Sequence, residues 1–190
     1  VFGITFQNQK GVSELVWQTS WGISTRSIGG LIMVHGDDNG LRLPPRLAPI
    51  QVIILSVRED EEILQVSRNI KETLQKAGVR VQIDDAGHET LGFRINTWEL
   101  KGIPLRIEIG QKEVQEGSVT AVRRDTGEKV HFSLNQLTQK VTDLLDQIQD
   151  TLYAEAQEFL KTNTRDVQDY DEFKETLAEH HGFLSAFWCE

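Results

Sequence analysis

Val52-Ile53-Ile54-Leu55, then Ile63, Val66, Ile70, Leu74 and Ala77 at helical spacing, then Val79-Arg80-Val81-Gln82-Ile83-Asp84, is the stretch that decides the fold. Four consecutive apolar residues suit a strand buried on both faces. The spacing predicts a helix over Glu59–Ala77 with its apolar residues on one face, closed by Gly78 as a C′ glycine. The alternation that follows predicts a second strand. Strand, helix and strand on short links make a parallel, right-handed βαβ unit.

Outward toward the C-terminus, Pro104-Leu105-Arg106-Ile107-Glu108-Ile109-Gly110 reads as a third strand. Val119–Arg124 and Glu128–Phe132 flank Asp125-Thr126-Gly127, a hairpin turn signal. Ser133 can cap a helix. Leu134, Leu137, Val141, Leu144, Leu145, Ile148 and Leu152 give it one apolar stripe, and it is expected to run to about Thr162. Asn163–Asp169 is expected to be a loop, Tyr170–His181 a short amphipathic helix ended by Gly182, and Phe187-Trp188-Cys189-Glu190 a strand.

Outward toward the N-terminus, Pro44-Pro45 and Pro49 bracket a stiff connector. Before it, residues 1–47 read as hairpin-rich antiparallel β structure, with strands over Val1–Phe6, Glu14–Ser20 and Ser27–His35 and turns at Gln7–Gly11 and Gly36–Gly40. Within that region Trp17-Gln18-Thr19-Ser20-Trp21-Gly22-Ile23-Ser24-Thr25-Arg26 sets one arginine between a glycine-containing turn and an apolar, glycine-bearing run. An acidic turn and the Pro-Pro exit follow. That is more local specification than a core needs, and it marks a site.

The totals bound these readings. The 190 residues allow one to two domains and a real core. The longest apolar stretch, Ile50 to Val57, is interrupted by Gln51 and Ser56, against the roughly 20 residues of a membrane span. No signal peptide is evident, and a chain opening on a strand without methionine is expected to be a fragment of a longer protein. A single cysteine excludes an internal disulfide and fits a reducing cytoplasm. The net charge of −9 argues at first against a nucleic-acid partner. However, residues 134–190 hold 4 Lys/Arg and 12 Asp/Glu, a net −8, so residues 1–133 carry only −1. Binding to nucleic acid depends on local patches.

The motifs point further. Ser20-Trp21-Gly22, Ser24-Thr25-Arg26, Ile28-Gly29, His35-Gly36-Asp37-Asp38 and Leu43-Pro44-Pro45-Arg46 resemble motif 3 of class II aminoacyl-tRNA synthetases, in the form seen in prolyl-tRNA synthetases of the archaeal and eukaryotic type. Trp98-Glu99-Leu100-Lys101-Gly102-Ile103-Pro104-Leu105-Arg106-Ile107-Glu108-Ile109-Gly110 resembles the signature of that family's anticodon-binding domain. The resemblance covers essentially the whole chain. It implies a mixed α/β fold. Residues 1–47 would close a class II catalytic domain with its antiparallel sheet. Residues 48–133 would form an α/β anticodon-binding domain of mixed sheet and flanking helices, with a closing helix from 134. Residues 150–190 would begin a truncated, helical C-terminal domain of the zinc type.

The resemblance also implies roles. The family activates proline with ATP to prolyl-adenylate and passes the prolyl group to tRNA(Pro), in the cytoplasm, as a homodimer, with Mg2+ beside the ATP. Arg26 is the expected ATP-site arginine, since a guanidinium stays charged and its planar fork holds phosphate or stacks on adenine; the alternative is a structural pairing with an acid. Ser24 is an expected ATP neighbour, and Trp21 and Gly22 an expected pocket wall, with packing as the competing reading. Asp37 and Asp38 suit a metal site or, as Asp-Asp-Asn-Gly, a turn; His35 reads as structural. Glu99, Arg106 and Lys112 are the expected anticodon readers. A carboxylate accepts from a base amino group, and Arg or Lys donates to guanine, while single-stranded bases are read on those edges. A solvated charge at a strand edge is the alternative for each. Arg94, Lys101, Arg123 and Arg124 are candidate phosphate contacts, with ordinary surface as the equal alternative, and Trp98 is expected to pack, with stacking on a base as the alternative. Cys189 aligns with the first of four zinc cysteines in the family, a structural site needing about four ligands.

The family's motifs 1 and 2 precede this region. The 190 residues alone are therefore expected to give no ATP–pyrophosphate exchange. The competing function is a non-catalytic tRNA-binding or regulatory paralogue that keeps the anticodon fold. A histidyl- or threonyl-type synthetase fits less well, given Ser-Trp-Gly and Leu-Pro-Pro-Arg.

Overall fold

The computed structural model describes residues 2–58, 60–84 and 88–187. Two short antiparallel strands open it, β1 (Thr5–Gln7) and β2 (Ser13–Leu15), with Thr5 opposite Leu15. Next comes a correction to the expected third strand: Arg26–His35 is a helix, α1. Ile28, Leu31, Ile32 and His35 recur at helical spacing. Helical hydrogen bonds close within the segment, so it needs no neighbouring strand. None of its residues is buried. The turn Asp37-Asp38-Asn39-Gly40 joins the two-residue strands β3 (Gly36–Asp37) and β4 (Gly40–Leu41) in a hairpin.

The main sheet follows. β5 (Val52–Ser56) is buried at all five positions, as its continuous apolar run demanded. α2 (Glu61–Lys76) starts where the Asp60 carboxylate accepts from the Glu62 N–H, and the chain leaves it through Gly78 at φ 82°. β6 (Val81–Ile83) then pairs in parallel with β5. A helix that apolar spacing had not announced, α3 (Leu91–Leu100), returns the chain to β7 (Leu105–Ile109), which lies parallel on the other side of β5. α4 (Gln111–Glu116) is a second unannounced helix, ended by Gly117 at φ 63°. The expected hairpin is present as β8 (Ser118–Arg123), antiparallel to β7, and β9 (Lys129–Ser133), antiparallel to β8. The order is β6-β5-β7-β8-β9.

A one-turn 3-10 helix (Leu134–Gln136) leads into α5 (Leu137–Thr162). Its stripe of Leu137, Val141, Leu144, Leu145, Ile148 and Leu152 packs with α2 on the sheet face formed by Val52, Ile54, Leu105, Ile107, Val119 and Ala121. Each fully buried Ile or Leu contributes about 1.5–3 kcal/mol. The opposite face carries a smaller core of Ile53, Leu55 and Ile103, with Leu91, Ile95 and Trp98 of α3 against it. Strand β7 alternates between these faces, so Arg106 and Glu108 share the α3 side.

Beyond α5, the expected loop holds a strand. β10 (Thr164–Val167) pairs in parallel with β11 (Phe183–Ala186), joined by α6 (Tyr170–Glu179). Asp169 caps that helix by accepting from the Asp171 and Glu172 N–H groups. Phe187 lies past the strand, and the strand expected over 187–190 otherwise falls, with Cys189, outside the described residues.

Candidate anticodon-reading face

Strand alternation and helix ends bring the site together. β7 points Arg106 and Glu108 to one face, and the last turn of α3 holds Glu99 above them. Arg106 donates from Nη1 to Glu99 Oε1 at 2.8 Å and from Nε to Glu108 Oε1 at 2.9 Å. The two carboxylates thus hold the guanidinium at Nε and Nη1, and no hydrogen bond from its Nη2 to a described residue is made. The Arg106 side chain is 11% exposed and that of Glu99 37%. Two of the three expected readers therefore form one preorganised donor–acceptor fork.

The polar row continues across the sheet. Glu108 lies in register with Thr120, and Thr120 with His131. Thr120 Oγ1 is 3.2 Å from His131 Nδ1 and 3.4 Å from Glu113 Oε1. His131 Nε2 lies 3.7 Å from Glu116, and Lys112 Nζ lies 3.9 Å from the same carboxylate. Lys112 thus stands at the far end of the row, exposed, and does not touch the fork. Glu108, Thr120 and His131 belong to this face and were not anticipated. Counting alternate residues along β7, and across the Asp125-Thr126-Gly127 turn, would have placed them.

Three of the four expected phosphate contacts are internal, which corrects that expectation. Arg94 is buried, donating from Nε to Asp84 Oδ2 at 2.9 Å and from Nη1 to the Ser56 carbonyl at 3.0 Å; Trp98 Nε1 donates to the same Asp84 oxygen at 2.9 Å. Trp98 accordingly packs. Arg123 grips Asp125 with Nε and Nη2 at 3.0 and 2.6 Å, and that hydrogen-bonded carboxylate raises its pKa. Arg124 grips Asp37 with Nη1 and Nη2 at 2.9 and 2.7 Å and donates from Nε to the Glu99 carbonyl at 3.1 Å. The same bond from Arg124 chiefly lowers the Asp37 pKa. Asp37 is thereby a turn and pairing residue. Only Lys101 remains open to solvent, 4.2 Å from the Trp98 ring centre.

The N-terminal site residues are all on the surface. Trp21, Gly22 and Ser24 lie in the exposed segment before α1, with Trp21 93% exposed, and Arg26 is the first residue of that helix. Arg26 makes no ion pair with a described residue. The described residues thus bring Ser24 and Arg26 close in sequence, but supply no wall around them. His35, which ends the helix, has its pKa lowered by burial and by Arg42, against the opposing pull of Glu155.

With that geometry in hand, comparison with known proteins is decisive for the central segment. Residues 51–144 match the family described as anticodon binding domain. The matched segment contains β5 to β9, the helix α3 and the polar row on β7, β8 and β9. The whole chain is similar, at 41% identity over 192 residues, to proline--tRNA ligase of Natranaerobius thermophilus, covering 100% of this chain and 40% of that protein. It is 46% identical over 187 residues to proline--tRNA ligase of Frankia casuarinae, covering 98% and 40%. In structure it resembles prolyl-tRNA synthetase from Cryptosporidium parvum complexed with L-proline and AMP, with TM-score 0.86 and 39% identity over 99% of this chain and 41% of that one. The chain thus spans about two fifths of the length of the relatives it matches. No described helix is long and apolar enough to cross a membrane.

Proposed function

We propose that the chain is the C-terminal portion of a proline--tRNA ligase of the archaeal and eukaryotic type, with its anticodon-binding domain reading tRNA(Pro). The observation that carries this reading is the Glu99–Arg106–Glu108 fork on the α3 side of the sheet. Glu99 offers acceptors to a guanine's N–H edge, Arg106 offers its free N–H groups to guanine acceptors, and Glu108 keeps the guanidinium plane aimed. The prolyl anticodon ends in two guanines, which such a fork suits. Lys112, at the outer end of the row, adds a mobile cation. The whole-chain similarity to proline--tRNA ligases, and the proline and AMP bound in the similar structure, support the activation half of the reaction. In that half Arg26 and Ser24 would contact ATP, with Trp21 and Gly22 walling the pocket once the rest of the enzyme covers them.

The same reading carries a homodimer, a cytoplasmic setting, Mg2+ with ATP and Zn2+ in the C-terminal module. Among the described residues no cluster of three or more His, Cys, Asp or Glu is placed to hold a metal, and Cys189 lies outside them.

The test uses the complete ligase. Arg106→Ala is expected to lower kcat/KM for tRNA(Pro) by roughly 1–3 kcal/mol, about 5- to 150-fold, while proline-dependent ATP–pyrophosphate exchange stays near normal. Equal loss of both would make Arg106 structural. A complete protein that binds tRNA(Pro) but shows no proline-dependent exchange would be the non-catalytic paralogue.

A further inference from the structure

One contact joins the N-terminal segment to the anticodon-binding domain across 87 residues of sequence. Both terminal nitrogens of Arg124 grip Asp37, at 2.9 and 2.7 Å, and the Arg124 side chain is 8% exposed. Such bidentate, charge-assisted pairs fix orientation as well as distance. The third donor of the same guanidinium, Nε, reaches the Glu99 carbonyl at 3.1 Å. A single side chain therefore ties the hairpin of β3 and β4 to the residue that carries one arm of the reading fork.

The surrounding backbone is fitted to the same purpose. Gly40, at φ 124°, lies so close to Leu100 that a Cβ would stand 2.5 Å from its Cα. Gly102, at φ 74°, meets Leu41 equally closely, and the Leu43 N–H donates to the Gly102 carbonyl at 3.1 Å. On the other side, the Arg42 N–H donates to the His35 carbonyl at 2.8 Å, so the hairpin is bonded to the end of α1. Arg26 stands at the opposite end of that ten-residue helix, roughly 15 Å away.

We propose that Asp37 and Arg124 are positioning residues for prolyl transfer: a latch that sets the angle between the anticodon-reading face and the segment bearing Arg26. The proposal rests on the proline--tRNA ligase reading. A tRNA held at its anticodon presents its 3′ end at the opposite end of the molecule, so a small tilt at the latch is multiplied at the acceptor end. A misplacement of about 1 Å at a reacting centre can cost on the order of 10²-fold in rate. The latch touches neither the reactants nor the bases; it acts through Glu99 on one side and α1 on the other.

The experiment compares wild type, Asp37→Asn, Arg124→Ala and the double variant in the complete enzyme. The measurements are kcat of charging, the Kd for tRNA(Pro), proline-dependent ATP–pyrophosphate exchange and the thermal midpoint. The latch predicts a fall in charging kcat of about 10- to 100-fold, with exchange and Kd within about twofold and the double variant no worse than the worse single, because one link is cut only once. A merely stabilising contact would lower all readouts together, and that result, or unchanged charging, overturns the latch while leaving the ligase reading standing. A wild type that does not charge proline overturns both. Should Arg124→Ala fail to fold, Arg124→Lys, which keeps the charge without the fork, takes its place in the same comparison.

Discussion

Arg94→Ala gives the sharpest test of how cations are divided in this protein. Arg94, four residues before the Trp98–Gly110 signature, is a candidate phosphate contact by sequence, yet the structure spends the side chain internally. The side chains of Arg94 and Asp84 are 5% and 3% exposed, with 2.9 Å between Nε and Oδ2. Truncation leaves the Asp84 carboxylate buried without its cation and the Ser56 carbonyl at the end of β5 without its donor. Breaking one side of a buried pair costs about 3–5 kcal/mol. Against a total stability of about 5–15 kcal/mol, that is a large share. For a chain of this size, where 1 kcal/mol moves the midpoint by about 2–4 °C, the expected drop is about 6–20 °C.

The assay is thermal and urea unfolding followed by circular dichroism, with anticodon stem-loop binding measured over a salt series. Arg94→Met combined with Asp84→Leu should recover much of the loss, since replacing both charges by apolar groups is often near neutral; Trp98 Nε1 loses its acceptor in that variant, so recovery stays incomplete. The reasoning is refuted by a loss under about 1 kcal/mol accompanied by a salt slope reduced by about 0.7, the signature of one lost phosphate contact on single-stranded RNA.

Other consequences follow from the same geometry. The Arg124 bond holds Asp37 below its ordinary value of 3.8; a lowered carboxylate pKa means the latch contributes fully above that value and is lost as pH falls through the folded pKa, so acid unfolding should begin at lower stability in Asp37→Asn and lose this component of its pH dependence. Gly102→Ala should destabilise by about 1–3 kcal/mol in urea melts, because φ 74° and a Cβ 2.5 Å from the Leu41 Cβ leave it no room. Lys112→Ala should change tRNA affinity much less than Arg106→Ala, and only at low salt, since its one contact is an exposed Glu116 at 3.9 Å; a loss as large as that of Arg106→Ala would show a direct base contact.

What the sequence disclosed and what it hid divide along one physical line. Periodic burial is written locally, so β5, α2, the β8–β9 hairpin and α5 could be read from Val52–Leu55, Ile63–Ala77, the Asp-Thr-Gly turn and the Leu137–Leu152 stripe. α3 escaped because its buried side includes Arg94, which breaks an otherwise helical set of Leu91, Ile95 and Trp98. α1 was inverted because two glycines disfavour a helix and Ile28, Ile32 and Val34 favour a strand on propensity, while internal hydrogen bonding favours a helix where no strand lies alongside. β10 is four residues, three of them polar, and its pairing with Phe183–Ala186 is visible only in space. The site divides in the same way. Motif resemblance selected Glu99 and Arg106, and they do meet. It treated Arg94, Arg123 and Arg124 as equally available, because the carboxylates that neutralise Arg94 and Arg124 lie 10 and 87 residues away. Only for Arg123 was the partner legible, two residues on in the turn. Whether a cation can meet RNA depends on which carboxylate has already claimed it. The arginines that hold this segment together are those whose every strong donor faces protein, and Arg106, whose Nη2 makes no hydrogen bond to a described residue, is the one proposed to read a base.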